Sequence, residues 1–451
     1  MQERPTAVPG PTGTTQVGKA PPIPVKVQRR SRWAWAEASV WTDRMLAALE
    51  YGVQGGVWFS LMDKVYHRKN LWACWCKAAE NHGAPGVDEI TVERYERDVE
   101  ANVDRLVGKL RDGTYRPQAI RRTYIPKADG SRRPLGIPTV EDRIVQGAVR
   151  RVLEPIFERE FASHSYGFRP GKGCKDALRR VDELLKQGYR YVVDADLKSY
   201  FDTIPHAKLM ERVRERVADG RVLGLIEEFL KARILEGLSE WTPLAGAPQG
   251  AVLSPLLSNI YLNPLDHQMA AGGYEMVRYA DDFVILCRTP EQAAKALTEV
   301  RAWVAQAQLT LHPDKTRIVD AAAEPFEFLG FRFDQGRKWP RDKSKAKLRA
   351  RVRWQTRRTC GVSLDTLIKG LNPVLRGWFN YFKHADKRAM REVDGWLRMR
   401  LRSILRKRRK GRGRGRGSDH QRWPNTFFAH AGLFSLEQAR LLACQSMKMA
   451  H

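Results

Sequence analysis

Apolar positions change their spacing several times along this chain, and each change marks a different element. In "TVERYERDVEANVDRLVGKLRDG", Val92, Tyr95, Val99, Val103, Leu106 and Leu110 recur at helical spacing, which predicts one amphipathic helix. In "YIPKADGSRRPLGIP", apolar runs flank Asp129-Gly130, which predicts a hairpin with a tight turn. Thr139 followed by Asp142 is a helix start signal, and Ile144, Ala148, Val152 and Ile156 carry that helix on. "YRYVVDADL" is rich in strand formers, and alternation puts Val192, Asp194 and Asp196 on one face. "PLLSNIYLNPLDHQMA" reads as a helix, "YEMVRYADDFVILC" as two strands around a turn at Ala280-Asp281, and "FEFLGFRF" as one short strand. After Lys343 the chain turns helical and basic, "GRGRGRG" at 411–417 reads as a flexible linker, and a short segment closes the chain. Residues 1–30, rich in Pro, Gly, Thr and Val without a hydrophobic period, read as disordered. Strands and helices that do not alternate as βαβ units predict an α+β fold followed by an all-α module.

Composition adds a partner. The chain has 451 residues, enough for two or three domains, and carries 79 Lys and Arg against 51 Asp and Glu, a net of +28. Clustered cations release counterions from a phosphate backbone, so a polyanion is the expected partner. The excess is concentrated: residues 341–451 hold 29 basic and 7 acidic residues. Cysteines at 74, 76, 174, 287, 360 and 444 fit neither a zinc knuckle nor a redox pair and read as reduced packing thiols. No apolar run approaches the roughly 20 residues that span a bilayer, and no signal core is present. The expectation is a cytoplasmic protein with no membrane partner.

Chemistry points to the aspartates. Adjacent carboxylates at a strand turn repel each other unless a cation neutralises them, and Mg²⁺ prefers oxygen ligands. Asp281 and Asp282, with Asp196 at the end of a separate strand, could form a two-metal site that activates a hydroxyl and stabilises a leaving pyrophosphate. A solvated turn is the plainer reading of an Asp-Asp pair alone, and Asp194 could equally be a structural acceptor.

The blocks around this pair resemble the reverse transcriptases encoded by group II introns. "HGAPGVD", "YIPKADGSRRPLGIPTVEDRIVQ", "SYGFRPGKGC", "DLKSYFDTI", "APQGAVLSPLLSNIYLNPLD", "YADD", "LTLHPDKT", "FEFLGFRF" and "LNPVLRGWFNYF" follow one another in the family's order. The resemblance implies a right-hand polymerase with fingers and palm, followed by an all-α thumb and maturase module. It implies that Asp196, Asp281 and Asp282 are catalytic and bind two Mg²⁺ ions, with the backbone carbonyl of Leu197 as a further ligand. For the dNTP it implies Lys127 and Arg133 on the fingers hairpin, Gln249, Gly250 and Phe201. Phe201 matches the aromatic that excludes ribonucleotides, with the neighbouring Tyr200 as the alternative. Arg169 is assigned either to template or dNTP or to a structural ion pair, and Lys315 to the primer side of the palm.

The expected boundaries are 1–32 for a disordered lead, 33–190 for an N-terminal extension and fingers, and 191–335 for the palm, with part of the fingers interleaving. Then follow 336–410 for the thumb and maturase domain, 411–421 for a basic linker and 422–451 for a short C-terminal segment. In "RGWFNYFKHADKR" the aromatics read mainly as helical core, while Arg376, Lys383, Lys387 and Arg388 bind RNA. Arg406, Lys407, Arg408, Arg409 and Lys410 are a further RNA footprint without sequence information. The implied partners are intron RNA, an RNA template with a DNA primer, and target DNA; the implied work is splicing assistance and copying of RNA into cDNA during retrohoming. With only Cys360 and Cys444 after residue 340, no four-cysteine HNH endonuclease is expected, so the primer would come from elsewhere, such as nascent DNA at a replication fork. Two rivals stay open: a related bacterial reverse transcriptase outside introns, and a splicing factor with a vestigial polymerase.

Overall fold

The computed structural model describes residues 33–449 apart from 127–129, 131, 358, 360 and 416. The 1–32 lead, Lys127, Asp129 and Cys360 therefore lie outside the described residues. Eleven strands form three sheets among them: β1 (Ile120–Pro126), β2 (Arg132–Ile137), β3 (Tyr191–Asp196), β4 (Ile234–Glu236), β5 (Ser239–Trp241), β6 (Glu275–Tyr279), β7 (Asp282–Cys287), β8 (Arg317–Asp320), β9 (Phe326–Phe328), β10 (Phe331–Asp334) and β11 (Arg337–Pro340).

The central sheet, in order β6-β7-β3-β8, is antiparallel throughout. Its middle strands are apolar on both faces because each face meets its own core. Val193, Ala195, Phe283, Ile285 and Cys287 join a large core that includes the helices Val140–Glu158, Ser254–Ala271 and Pro290–Gln306. Val192, Val277, Val284 and Leu286 join a second core shared with the helix Cys174–Lys186, the β9-β10-β11 sheet and the thumb helices. Asp194 and Asp196 alternate with Val193 and Ala195, so they extend the thumb-side face beyond its apolar part.

The fingers sheet runs β2-β1-β4-β5. Strand β4 joins β1 in parallel, so residues that follow the first palm strand complete the fingers. The helix Cys174–Lys186 precedes residue 190 yet packs on β6 of the central sheet.

Three further sequence readings change. The 92–110 face is two helices, Val92–Glu96 and Val99–Arg111. Asp98 leaves helical geometry (φ −124°, ψ 35°), and the Asn102 side chain donates to the Tyr95 carbonyl at 3.0 Å, satisfying an acceptor at the break. "FEFLGFRF" is a hairpin of β9 and β10, turned by Leu329 (φ +46°) and Gly330 (φ +80°), where only glycine is at ease. Residues 411–421 are not a free linker. The Arg406 guanidinium donates to the Arg412 carbonyl and pairs with Asp419 at 2.6 Å, Gly415 is buried against Ser403, and Ser418–Arg422 is helical.

Nor is 422–451 a separate segment. Trp423, Phe428 and Leu436 enter the thumb core formed by the helices Leu364–Phe382 and Lys387–Arg408. Buried Asp394 accepts from Ser435 Oγ at 2.8 Å and the Leu436 amide at 3.1 Å, capping the last helix, Leu436–Met449. Among the described residues, no helix is long and apolar enough to cross a membrane.

Candidate active site

Strands β6 and β7 close on the pair Tyr279↔Asp282, leaving Ala280 and Asp281 as the two-residue turn. Ala280 has φ +60°, a conformation that a residue with a Cβ holds only when its surroundings enforce it. One strand over, Asp196 stands directly opposite Asp282, and Asp194 opposite Val284. Directly opposed residues share a face, so Asp194, Asp196 and Asp282 project on the thumb side, with Asp281 at the adjoining tip.

Electrostatics makes this cluster costly without a cation. Burial, followed by the charges of Asp194, Asp281 and Asp196, pushes the Asp282 carboxyl up to about 7. Burial pushes Asp194 up to about 6, against the pull of Arg317. Asp281 is raised by burial and by Asp196, and Arg133 draws it back. Lys315 pairs with Asp196, so an ammonium already neutralises one carboxylate. Among the described residues, no three acidic, His or Cys side chains close into a metal cage. The carboxylates offer oxygen donors, the kind a divalent cation takes, and such a cation completes its shell with phosphate oxygens and water.

A raised carboxyl couples to stability. In the unfolded chain an aspartate titrates near 3.9. Between about pH 4 and pH 7 the metal-free folded state holds a proton on Asp282 that the unfolded state lacks, so stability falls as pH rises through that window and levels off above it. Asp282→Asn is expected to flatten this slope and to stabilise the metal-free protein at pH 8, by up to about 4 kcal/mol. Thermal melts at pH 5 and pH 8 in chelator check it; a wild-type slope retained in the variant would assign the titration elsewhere.

Comparison with known proteins now bears on this geometry. The reverse transcriptase (RNA-dependent DNA polymerase) family matches residues 125–333, and the group II intron maturase-specific domain matches 345–423. Protein YkfC of Escherichia coli (strain K12) is 36% identical over 287 residues, covering 55% of this chain and 75% of YkfC. The group II intron-encoded protein LtrA of Lactococcus lactis subsp. cremoris is 43% identical over 168 residues, 37% of this chain. This chain belongs to the group II intron reverse transcriptases and maturases. It is an RNA-directed DNA polymerase with a maturase domain, of a family that uses divalent metal and nucleotide substrates. The alignment with LtrA spans 28% of that protein's length. Among solved structures, apo telomerase from Candida tropicalis aligns with a TM-score of 0.44 at 13% identity, over 69% of this chain and 58% of that one.

Within the reverse transcriptase, Tyr200 is 1% exposed and its hydroxyl donates to the Ser258 carbonyl at 2.8 Å, which makes it core. Phe201 is half-buried, with its ring 6.4 Å from that of Phe168, which is in turn 6.4 Å from Tyr279 beside the aspartates. Leu197 bridges to Leu311 through two bonds that use the Asp196 and Thr310 carbonyls, not its own. Arg133 is exposed on β2 and its charge reaches Asp281 and Asp202. The Gln249 carbonyl accepts from the Gly136 amide at 2.6 Å, so "PQG" covers the free edge of β2. Gly250 (φ +103°) does permit close approach, but to the fingers: a Cβ there would lie 2.5 Å from the Gly136 carbonyl. Arg169 is the structural ion pair, buried against Glu158 at 2.7 Å and bonded to the Ser165 carbonyl at 2.8 Å.

Two residues that hold the Ala280-Asp281 turn escaped the sequence reading. Arg278 is fully buried, pairs with Asp266 at 2.5 Å, and donates to Asn259 at 3.0 Å and to the Ala280 carbonyl at 2.9 Å. The signal was present: a lone arginine in the apolar strand "EMVRY" must have a buried partner. From the other side Gly167 presses on the turn, since a Cβ there would lie 2.2 Å from the Ala280 amide. Gly167→Ala must therefore displace backbone, and is expected to lower primer extension about 10- to 100-fold while shifting the melt little. Equal loss of both would make the contact general packing.

In the maturase domain, Phe379 and Phe382 are buried, and the Tyr381 hydroxyl donates to the Leu329 carbonyl at 2.8 Å, so these rings are core. Arg376, Lys387, Arg388 and Lys407 through Lys410 are exposed, while Lys383 is half-buried. Arg376 lies over the Phe434 ring at 4.7 Å. Arg406 departs from the expected footprint, because its guanidinium is committed to Asp419.

Proposed function

We propose that the protein is the maturase of a group II intron, binding its intron RNA, assisting splicing and copying RNA into cDNA from a DNA primer at a target site during retrohoming. The observation that carries the reading is the register pair Asp196↔Asp282 with Asp281 on the adjoining turn. Asp196, Asp281 and Asp282, with the Leu197 carbonyl, would hold two Mg²⁺ ions, which supply charge neutralisation at the attacking and leaving oxygens. The protein does the rest by position. Opposed strands fix the carboxylates before substrate arrives, so little reorganisation is left for the reaction. Arg133, with Lys127 six residues earlier in sequence, meets the triphosphate. Gln249 holds the fingers edge over the nucleotide site through its backbone. Phe201 closes the space where a 2′-hydroxyl would sit. Exposed cations on the thumb, among them Lys387, Arg388 and Lys407, track RNA phosphates. The work would take place on nucleic acid in the cytoplasm.

The deciding experiment is primer extension on an RNA template with dNTPs and Mg²⁺, run beside a splicing assay on RNA that co-purifies with the protein. Extension together with faster splicing supports the reading. Splicing assistance without extension would leave an RNA-binding factor on a polymerase scaffold. The gate has its own check: Phe201→Val is expected to raise ribonucleotide incorporation relative to deoxynucleotide by about 10- to 100-fold, and unchanged discrimination would remove Phe201 from that role.

A further inference from the structure

One lysine reaches into the acidic cluster itself. The family resemblance assigns Lys315 to the primer side of the palm, and the structure brings its ammonium onto the Asp196 carboxylate. Backbone bonds explain how it gets there. The Lys198 amide donates to the Thr310 carbonyl at 2.8 Å and the His312 amide to the Asp196 carbonyl at 2.7 Å, so residues 310–312 run bonded along the end of β3. The Thr316 amide then donates to the His312 carbonyl at 3.1 Å, which folds 312–316 into one turn. Lys315 lies on that turn, and its ammonium returns to the residue to which the turn is bonded. Among the described residues, Asp196 is the one member of the group Asp194, Asp196, Asp281 and Asp282 in a direct ion pair. It is also the member whose charge bears on all three others, so one ammonium there relieves the whole cluster.

The pair is placed with care but held loosely. The Lys315 side chain is 59% exposed and that of Asp196 31%. A half-solvated pair of this kind is weak, and its lysine can leave for water at little cost. An ammonium and a divalent cation cannot both sit in contact with one carboxylate, because like charges a few ångström apart repel strongly away from bulk water. We infer that Lys315 is the resident counter-cation of the resting polymerase, and that a divalent ion must displace it from Asp196 in order to bind. Pairing therefore lowers metal affinity in proportion to the fraction of molecules in which Asp196 is already occupied. A metal ion that arrives with a nucleotide triphosphate brings phosphate oxygens as further ligands and overcomes the lysine; one that arrives alone does so less readily. The lysine thus favours loading of the site together with substrate. The inference rests on the proposed function only for the place of Asp196 among the metal ligands.

The experiment titrates Mn²⁺ into the full chain without RNA or dNTP and follows the free ion by electron spin resonance. Mn²⁺ takes the same oxygen donors as Mg²⁺. Binding that Asp196→Asn removes defines the site. Lys315→Gln keeps a polar side chain and removes the charge. It is expected to tighten that binding about 2- to 5-fold, the range for releasing a partly exposed ion pair. Lys315→Arg, which keeps the charge, should bind no tighter than wild type. Loss of a merely structural lysine would not tighten metal binding. Wild-type or weaker affinity in Lys315→Gln, with Asp196→Asn still abolishing binding, overturns the inference and leaves the metal site standing. Binding that Asp196→Asn does not weaken, or no binding to any form, sinks the metal site and the inference together.

Discussion

Asp281→Asn is expected to lower RNA-templated primer extension by about 10³-fold or more, equivalent to roughly 4 kcal/mol of transition-state stabilisation. The substitution keeps the side chain's size and removes only its charge. Asp281 sits at the hairpin tip beside the opposed pair Asp196 and Asp282, where the proposed metal ions would need its charge. Asp194→Asn is the control on the same face. Asp194 stands opposite Arg317 on β8, one step further from the tip, and its loss is expected to cost less than about 10-fold. RNA binding and splicing assistance should survive both changes, because the exposed thumb cations lie elsewhere. Single-turnover extension with saturating template reads the difference. Equal loss in the two variants would mean that the cluster acts as one electrostatic unit, and full activity in Asp281→Asn would remove the metal-site reading.

Arg278→Met is expected to destabilise the fold by about 3–5 kcal/mol, since it leaves the buried Asp266 carboxylate with only His164, 4.0 Å away, in place of the guanidinium. Replacing both members, Arg278→Met with Asp266→Leu, should recover most of that stability because no charge is left stranded. Activity should not recover with it. The Arg278 guanidinium also donates to the Ala280 carbonyl, and neither replacement supplies that bond to a turn residue already held at φ +60°. Thermal melts and primer extension on the two single variants and the double variant form the cycle. If the double variant regains both stability and activity, the arginine is an anchor for the fold and not for the turn.

Local patterns revealed the elements whose reasons are local. Thr139 caps its helix by accepting from the Asp142 amide at 3.1 Å, and the two strands around Ala280-Asp281 follow from apolar runs on either side of a polar pair. What stayed hidden depends on residues far apart in sequence. Nothing near "EMVRY" says that Arg278 reaches Asp266 and Asn259, or that Gly167 comes to rest on Ala280. A helical period cannot show that Asp98 breaks the helix, because the apolar face continues beyond it. The run "GRGRGRG" looks free because its composition is that of a linker, yet Ser403 and Asp419 tie the surrounding chain down. For the site itself, type and spacing marked the three aspartates only as one possible metal site, and the ordered motif blocks around them carried the expectation. That Tyr200 is buried core while Phe201 is half-buried is a difference that two adjacent aromatics do not disclose in sequence.

The central sheet gives one of its faces to a core that it does not own alone. Val192, Val284 and Leu286 from the strands bearing the aspartates share that core with Phe379 and Leu397 of the maturase domain and with Phe428 just beyond it. A lineage that gave up copying RNA could lose its aspartates with little harm. It could not discard the strands that carry them, because the splicing half would lose the wall it stands against. Polymerase scaffolds should therefore outlive polymerase activity among such proteins, and the reverse trimming, a palm kept without the helices behind it, should be rare.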